Sequence, residues 1–281
     1  MSEFRQGILR ALRHRSFVVG GLLTATVLGM AALSLVWTPY VPTALNMRKR
    51  LAPPDLGNWL GTDAFGRDVL SLILTGAQNS ILVGVLAVGI GLIIGATLGL
   101  AAAARRGWLE ELVMRFADFT YAFPAILSAI MLAAVFGPST MNSVVAIAIF
   151  NIPIFARVVR AAANSIWARD FILAARAAGK GTIRITIEHV LPNILAVIVV
   201  QATIQFALAI LAEAALSYLG LGTQPPTPSW GRMLNEAQAY VFRAPLLAIW
   251  PGFAIAIAVL GLNLMGDGLR DLTDPRLARQ R

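Results

Sequence analysis

Long apolar runs separated by short charged segments set the pattern of this chain. About 20 apolar residues suffice to cross a hydrocarbon core about 30 Å thick at 1.5 Å per residue. Phe17 to Trp37 is the first such run, closed by Pro39 and Pro42, and Ile81 to Ala104 is the second. From Phe119 to Ala156 no residue is charged. Gly-Pro-Ser-Thr at 137–140 breaks that stretch, which predicts two short helices and a tight hairpin, with Asp118 and its neighbours extending the first. Val190 to about Leu211 and Pro245 to Gly266 supply the last two runs. The pattern predicts an all-α, polytopic membrane protein with six transmembrane helices.

The charges orient those helices. With a cytoplasmic N-terminus, the inner segments hold 17 of the 23 Lys and Arg residues, including Arg5, Arg10, Arg13 and Arg15 and six between Arg157 and Arg184. The excess of basic residues on one side predicts an N-in, C-in topology. The chain then divides into a cytoplasmic N-terminus (1–15), a first transmembrane helix (16–38), an extracytoplasmic segment (39–79), a core transmembrane domain of five helices (80–266) and a cytoplasmic C-terminus (267–281). Within the core lie a cytoplasmic loop at 157–189 and an outer loop at 217–243. The first run lacks a small-residue cleavage site and reads as a retained span, with a cleaved signal peptide as the weaker alternative. The chain shows neither a fixed-period repeat nor a low-complexity linker.

Composition agrees with this and excludes several chemistries. Hydrophobic residues make up 58% and charged residues only 13%, against about 25% charged in ordinary soluble domains. The chain has no Cys and only His14 and His189, so a thiolate or His-rich metal site and a cysteine nucleophile are out of reach. The net charge of +9 is accounted for by topology, which makes nucleic acid an unnecessary partner. Gly179-Lys180-Gly181-Thr182 hints at a phosphate-binding loop. That motif needs a Gly at 174 and a hydroxyl at 181, and the chain has Ala174 and Gly181 there, after a helical run and not after a strand.

Few polar residues inside the runs stand out. Asp118 and Glu213 fall near predicted span ends, where each is expected to reach interfacial water or a basic neighbour such as Arg115; this structural role is favoured over a proton relay, which needs a chain of buried titratable groups. Gly91, Gly95 and Gly99 recur every four residues, a spacing that lets another helix approach closely. In the basic segment, Ser165 to Ala178 reads as helix, Gly179 as its stop and Thr182 as the cap of a second helix continuing into the membrane. The segment is either a rigid bracket that a partner grips or a solvated basic loop. On the other side, Val-Leu-Ser-Leu-Ile-Leu at 69–74 is too short to span and reads as interfacial or re-entrant. Trp230 reads either as an interfacial anchor or as surface packing.

Three blocks in order, Leu-Gly-Thr-Asp-Ala-Phe-Gly-Arg-Asp from Leu60, Phe-Ile-Leu-Ala-Ala-Arg-Ala-Ala-Gly from Phe171 and Leu-Ser-Tyr-Leu-Gly-Leu-Gly-Thr-Gln-Pro-Pro-Thr-Pro-Ser-Trp-Gly-Arg from Leu216, give the chain a family likeness. Met114 to Pro124 adds a fourth. The chain resembles the inner-membrane permeases of ABC importers, in particular the second permease of the dipeptide, oligopeptide and nickel group, over about Gly61 to Asp274. The resemblance implies the type I importer permease fold. It also implies that the segment from Leu173 is the coupling loop that docks a short helix on an ATP-binding subunit, with Phe171, Ala174, Ala175, Arg176, Gly179, Leu191 and Pro192 as its residues. The chain departs from the loop's pattern at Leu173, where the family has Glu, and at His189, where it has Ile. Gly61, Thr62, Asp63, Gly66, Arg67, Asp68, Gly220, Gly222, Trp230 and Gly231 match the outer family motifs.

By the same resemblance the chain catalyses no bond chemistry and binds no metal or cofactor; ATP and Mg²⁺ sit on partner subunits. The implied partners are a homologous permease, two ATP-binding subunits, an extracytoplasmic solute-binding protein and membrane lipid, in a bacterial inner membrane. The implied cargo is a peptide or a related small solute. A stand-alone secondary transporter is the alternative, although the sequence shows neither matched broken helices nor intramembrane charge clearly. A membrane-embedded enzyme lacks a nucleophile and base at membrane depth.

Overall fold

The computed structural model describes residues 14–273, so the terminal basic residues Arg5, Arg10 and Arg13 and the chain beyond 273 lie outside the described residues. The helices are α1 (Arg15–Val36), α2 (Val69–Ala104), α3 (Trp108–Ala122), α4 (Ala125–Phe136), α5 (Thr140–Trp167) and α6 (Asp170–Ala177). They are followed by α7 (Thr182–Tyr218), α8 (Trp230–Ala237) and α9 (Leu246–Thr273). Among the described residues the one backbone bridge outside helices joins Thr62 and Asp68. Five helices, α1, α2, α5, α7 and α9, are each long and apolar enough to cross a membrane. The pair α3 and α4 passes that test together but is bent by 82°, so six spans are reached by counting the pair as one broken span.

The boundaries correct several expectations. The apolar stretch at 69–74 is the first part of α2 and neither a surface-lying nor a re-entrant element. Asp68 caps the helix by accepting the Ser71 N–H at 2.8 Å, and Val69, Leu72, Ile73 and Leu74 are buried. Its apolarity therefore serves protein packing. The uncharged stretch from 119 holds a broken helix rather than a continuous first one. Pro124 forces Phe123 into extended backbone (φ −101°, ψ 127°) and ends α3 there. The hairpin falls at 137–140 as expected, with Gly137 at φ +83° and Ser139 capping α5 through the Asn142 N–H.

Packing follows the glycines. A Cβ on Gly91, Gly95 or Gly99 would lie within 2.4, 2.4 and 2.5 Å of Asn151, Ile152 and Ala156 of α5. Only hydrogen at these positions lets α2 and α5 meet backbone to backbone, which matters where lipid provides no hydrophobic drive for association. The buried side chains form layers along the bundle. Trp230, Ile73, Ala77, Ile210 and Ala254 join α2, α7, α8 and α9 at one end, and Val159, Trp167, Ile172, Ile185 and Ile194 join α5, α6 and α7 at the other.

Candidate functional site

The segment between α5 and α7 forms a compact bracket. The helix expected over 165–178 is interrupted: α5 ends at Trp167, and α6 is a separate helix starting at Asp170. α6 stops where Gly179, at φ +79°, donates to the Arg176 carbonyl at 2.9 Å while Lys180 donates to that of Ala175 at 3.1 Å. This pair of bonds is a Schellman stop, and the left-handed backbone costs Gly nothing. Thr182 does not cap the next helix by its side chain; Gly181 takes the cap position. Thr182 is already helical, and its carbonyl accepts the Thr186 hydroxyl.

The bracket has two unlike faces. Ile172 and Ala175 are buried against Val159, Ala163 and Ile185, while Phe171 and Leu173 are 45% and 59% exposed and Ala174 and Arg176 also face outward. The Arg176 guanidinium lies over the Trp167 ring, 5.2 Å from its centroid. His189 meets Phe171 edge-on at 6.4 Å, and its Nε2 is 2.9 Å from the Lys180 ammonium. An ammonium offers only donors, so Nε2 stands as the acceptor in that contact. Lys180 and Arg184 also pair with Glu188, at 2.7 and 2.6 Å. The departure from the family pattern at His189 thus ties α6 to α7, and the one at Leu173 adds apolar surface. A π turn at Thr186–Val190 follows. It widens the helix just before Pro192, which has no N–H to continue the regular bonding. Leu191 is half-buried and Pro192 exposed.

The motif residues expected on the outer side gather at the opposite end. Asp63 accepts the N–H groups of Phe65 and Arg67, both at 2.8 Å, and also the Arg67 side chain. Arg67 in turn pairs with Glu236 of α8, and Arg232 donates to the other oxygen of Glu236 at 2.8 Å. Thr62 receives the Ala52 N–H, and Gly61 and Gly66 make positive-φ turns. Asp55, nearby, is held below the usual carboxylate range, first by the Asn58 N–H that donates to it. Trp230 is fully buried and donates through Nε1 to the Ile73 carbonyl at 3.0 Å, so it anchors a protein core and is not an interfacial residue. Gly231 lies where a Cβ would come within 2.1 Å of the Ala214 carbonyl. Gly220 repeats the Schellman stop at the end of α7, and Gly222 turns the chain against Ser217.

Glu213 and Asp118 part company. Asp118 is exposed and pairs with Arg157 at 2.6 Å rather than with Arg115, which binds Glu111. Glu213 does not reach water: it is fully buried and accepts from Ser80 at 2.9 Å, Ser217 at 2.7 Å and Thr223 at 3.3 Å. Asn79 extends the group to Thr223 at 2.8 Å. Sequence reading missed this cluster, although the i, i+4 spacing of Glu213 and Ser217 on one helix face was a signal for it.

Comparison with known proteins gives this geometry a family. A profile described as "Binding-protein-dependent transport system inner membrane component" matches residues 91–279, and the chain belongs to that family. It is a permease of a binding-protein-dependent ABC importer, and this membership leaves the stand-alone carrier without support. The chain is 42% identical over 277 residues to a dipeptide transport system permease, DppC, of Alkalihalophilus pseudofirmus, covering 99% of this chain and 91% of the relative. It is 43% identical to a di/tripeptide transport system permease, DppC, of Pseudomonas aeruginosa, covering 99% and 92%. It is 42% identical to a glutathione transport system permease, GsiD, of Pectobacterium atrosepticum, covering 98% and 92%. A solved inward-facing form of the MetNI methionine ABC transporter shares the fold at TM-score 0.60 and 19% identity, over 72% of this chain and 97% of that one.

Proposed function

We propose that this chain is one of two permease subunits of a bacterial inner-membrane importer for short peptides, powered by ATP hydrolysis on two separate ATP-binding subunits. A solute-binding protein delivers the cargo to the outer face. The names of the peptide permeases to which the chain is similar support peptides as the cargo class. The excess of Lys and Arg in the segment 157–189 supports placing the bracket in the cytoplasm, with both termini on that side and the segments 39–79 and 217–243 outside.

One observation carries the mechanism: α6 is braced on its inner face by the core and presents Phe171, Leu173 and Arg176 outward. An eight-residue helix with one face anchored moves as a unit with α5 and α7, the elements joined to it. A pull by a closing pair of ATP-binding subunits is therefore delivered to both helices, which rock and alternate access. This chain's residues transmit and guide; ATP and Mg²⁺ are held by the partner subunits.

Reconstituting the complete complex in liposomes with loaded binding protein tests the reading. ATP-dependent uptake of a dipeptide is expected, and none when the ATP-binding subunits are omitted. Uptake by the permeases alone, or hydrolysis unaffected by loaded binding protein, would overturn it.

A further inference from the structure

An open groove of about 1120 Å³ runs between the end of α2, the first turn of α3 and the first turns of α7. Thr97, Leu100, Ala101 and Ala104 stand at i, i+3, i+4 and i+7 on α2 and form one wall, about 10 Å long at 1.5 Å per residue. Ile183 and Ile187, one turn apart on α7 and 72% and 60% exposed, form the other. Two of the groove's threonines spend their hydroxyls on their own helices: Thr97 donates to the Ile93 carbonyl at 2.6 Å and Thr186 to that of Thr182 at 2.9 Å. The trough between the walls is therefore apolar, and the small Ala101, Ala104 and Gly181 leave it unfilled.

Charge gathers at one end of this trough. Arg105, the residue that follows α2, lines it, and Arg106 comes next in the chain. Both are exposed, and among the described residues neither side chain has an ion-pair or hydrogen-bond partner. The acids nearby are already taken: Glu188 by Lys180 and Arg184, Glu110 by Arg160 at 2.8 Å and Glu111 by Arg115. A net positive rim on an apolar trough calls for an occupant that is anionic at one end and apolar along the rest. The chain's own ends do not fit that description, because Arg5, Arg10, Arg13, Arg276, Arg279 and Arg281 give them the rim's own sign.

The groove also lies at the right depth. It sits where the apolar run of α2 gives way to charge, and Trp108 beside it is 75% exposed, as suits an aromatic side chain at headgroup level. We propose that the groove holds one anionic phospholipid, its phosphate at Arg105 and Arg106 and an acyl chain between the alanine and isoleucine walls. The inference goes beyond the import reading and rests neither on the cargo nor on which face of the membrane this end meets. Such a lipid ties the end of α2 to the turns of α7 that follow the bracket, so the stiffness of that junction follows the anionic lipid content of the bilayer.

The whole complex in vesicles provides the test. Ile183→Cys places a thiol on the groove wall of a chain that has no Cys of its own, and a small fluorophore on that thiol is quenched by brominated acyl chains that touch it. The complex without the added Cys, taken through the same labelling, supplies the background from partner subunits. Phosphatidylcholine vesicles carry a minor fraction of either brominated phosphatidylglycerol or brominated phosphatidylcholine. The phosphatidylglycerol is expected to quench with at least about fivefold higher relative affinity, the factor corresponding to about 1 kcal/mol for each basic residue near an anionic lipid. Arg105→Gln with Arg106→Gln should bring that preference close to one, with assembly checked by size-exclusion chromatography. A label at Ile93→Cys, exposed on α2 but three turns from the arginines, should show no preference. Equal quenching by the two lipids at Ile183, the same preference at Ile93, or a preference kept by the assembled double variant overturns the site. So does an absence of quenching by either lipid, which shows a protein partner covering the groove. Loss of the preference in excess free glycerol phosphate overturns it as well, because a phosphate anion alone is then the ligand. Wild type and the Ile93 control decide the question even where the double variant fails to assemble, and dipeptide uptake in the same vesicles reads import separately.

Discussion

The two ends of the molecule satisfy their side chains in opposite ways. At the end proposed to face outward, the outer end below, Asp63, Arg67, Glu236 and Arg232 close a chain of ion pairs within the protein, Trp230 is fully enclosed and Glu213 spends its carboxylate on three hydroxyls. At the bracket, half of a short helix is packed and the other half is left open with Phe171 and Leu173 exposed. A surface that is complete in itself holds shape, and one that is complete only with a partner passes force. Changes at the outer end should therefore cost stability, and changes on the open face of the bracket should cost coupling.

The largest stability effect is expected at Arg67. Arg67→Met leaves Asp63 and Glu236 partly buried without their shared cation, and breaking such a pair costs about 3–5 kcal/mol. Thermal unfolding of the purified complex should shift down accordingly, and pairing the change with Glu236→Leu should recover part of the loss. Next comes Gly95→Ala, whose new methyl meets the Ile152 carbonyl at 2.4 Å; overpacking of this kind costs about 1–3 kcal/mol, read in the same unfolding curve.

The bracket should behave differently. The double variant Phe171→Ala, Leu173→Ala is expected to unfold within about 0.5 kcal/mol of wild type, as surface changes do. Its uptake should nonetheless fall about tenfold or more, because truncating a central apolar contact weakens docking by at least about 1.4 kcal/mol. The smallest effect is expected for Asp118→Asn, since an exposed pair with Arg157 is worth about 0–1 kcal/mol. Loss of stability at the bracket without loss of coupling, or the reverse at the outer end, would break the comparison.

Much of this contrast could be read in the sequence, and the unreadable part has physical causes. Gly179 betrayed its turn because few residues other than Gly adopt φ +79° cheaply, and the spacing of Gly91, Gly95 and Gly99 betrayed a close helix contact. The role of 69–74 could not be read because in a membrane protein apolar surface faces either lipid or core, and composition is the same in both. Glu213 looked interfacial for a related reason: a lone acid in an apolar run is equally at home near water or among hydroxyls, and Ser80 and Thr223 are brought to it only by folding. The break at Ala168–Arg169 left no Gly or Pro to mark it.

The central claim is that the open face of α6 is held by an ATP-binding subunit. The chain contains no Cys, so Leu173→Cys places a single thiol on that face, and a short thiol-to-amine cross-linker can be applied to the assembled complex in inverted membrane vesicles. The account predicts a cross-link between this chain and an ATP-binding subunit, with a yield that changes when ATP is added. Cross-linking only to lipid or binding protein, or none while Leu56→Cys on the outer segment is labelled in the same vesicles, would contradict it.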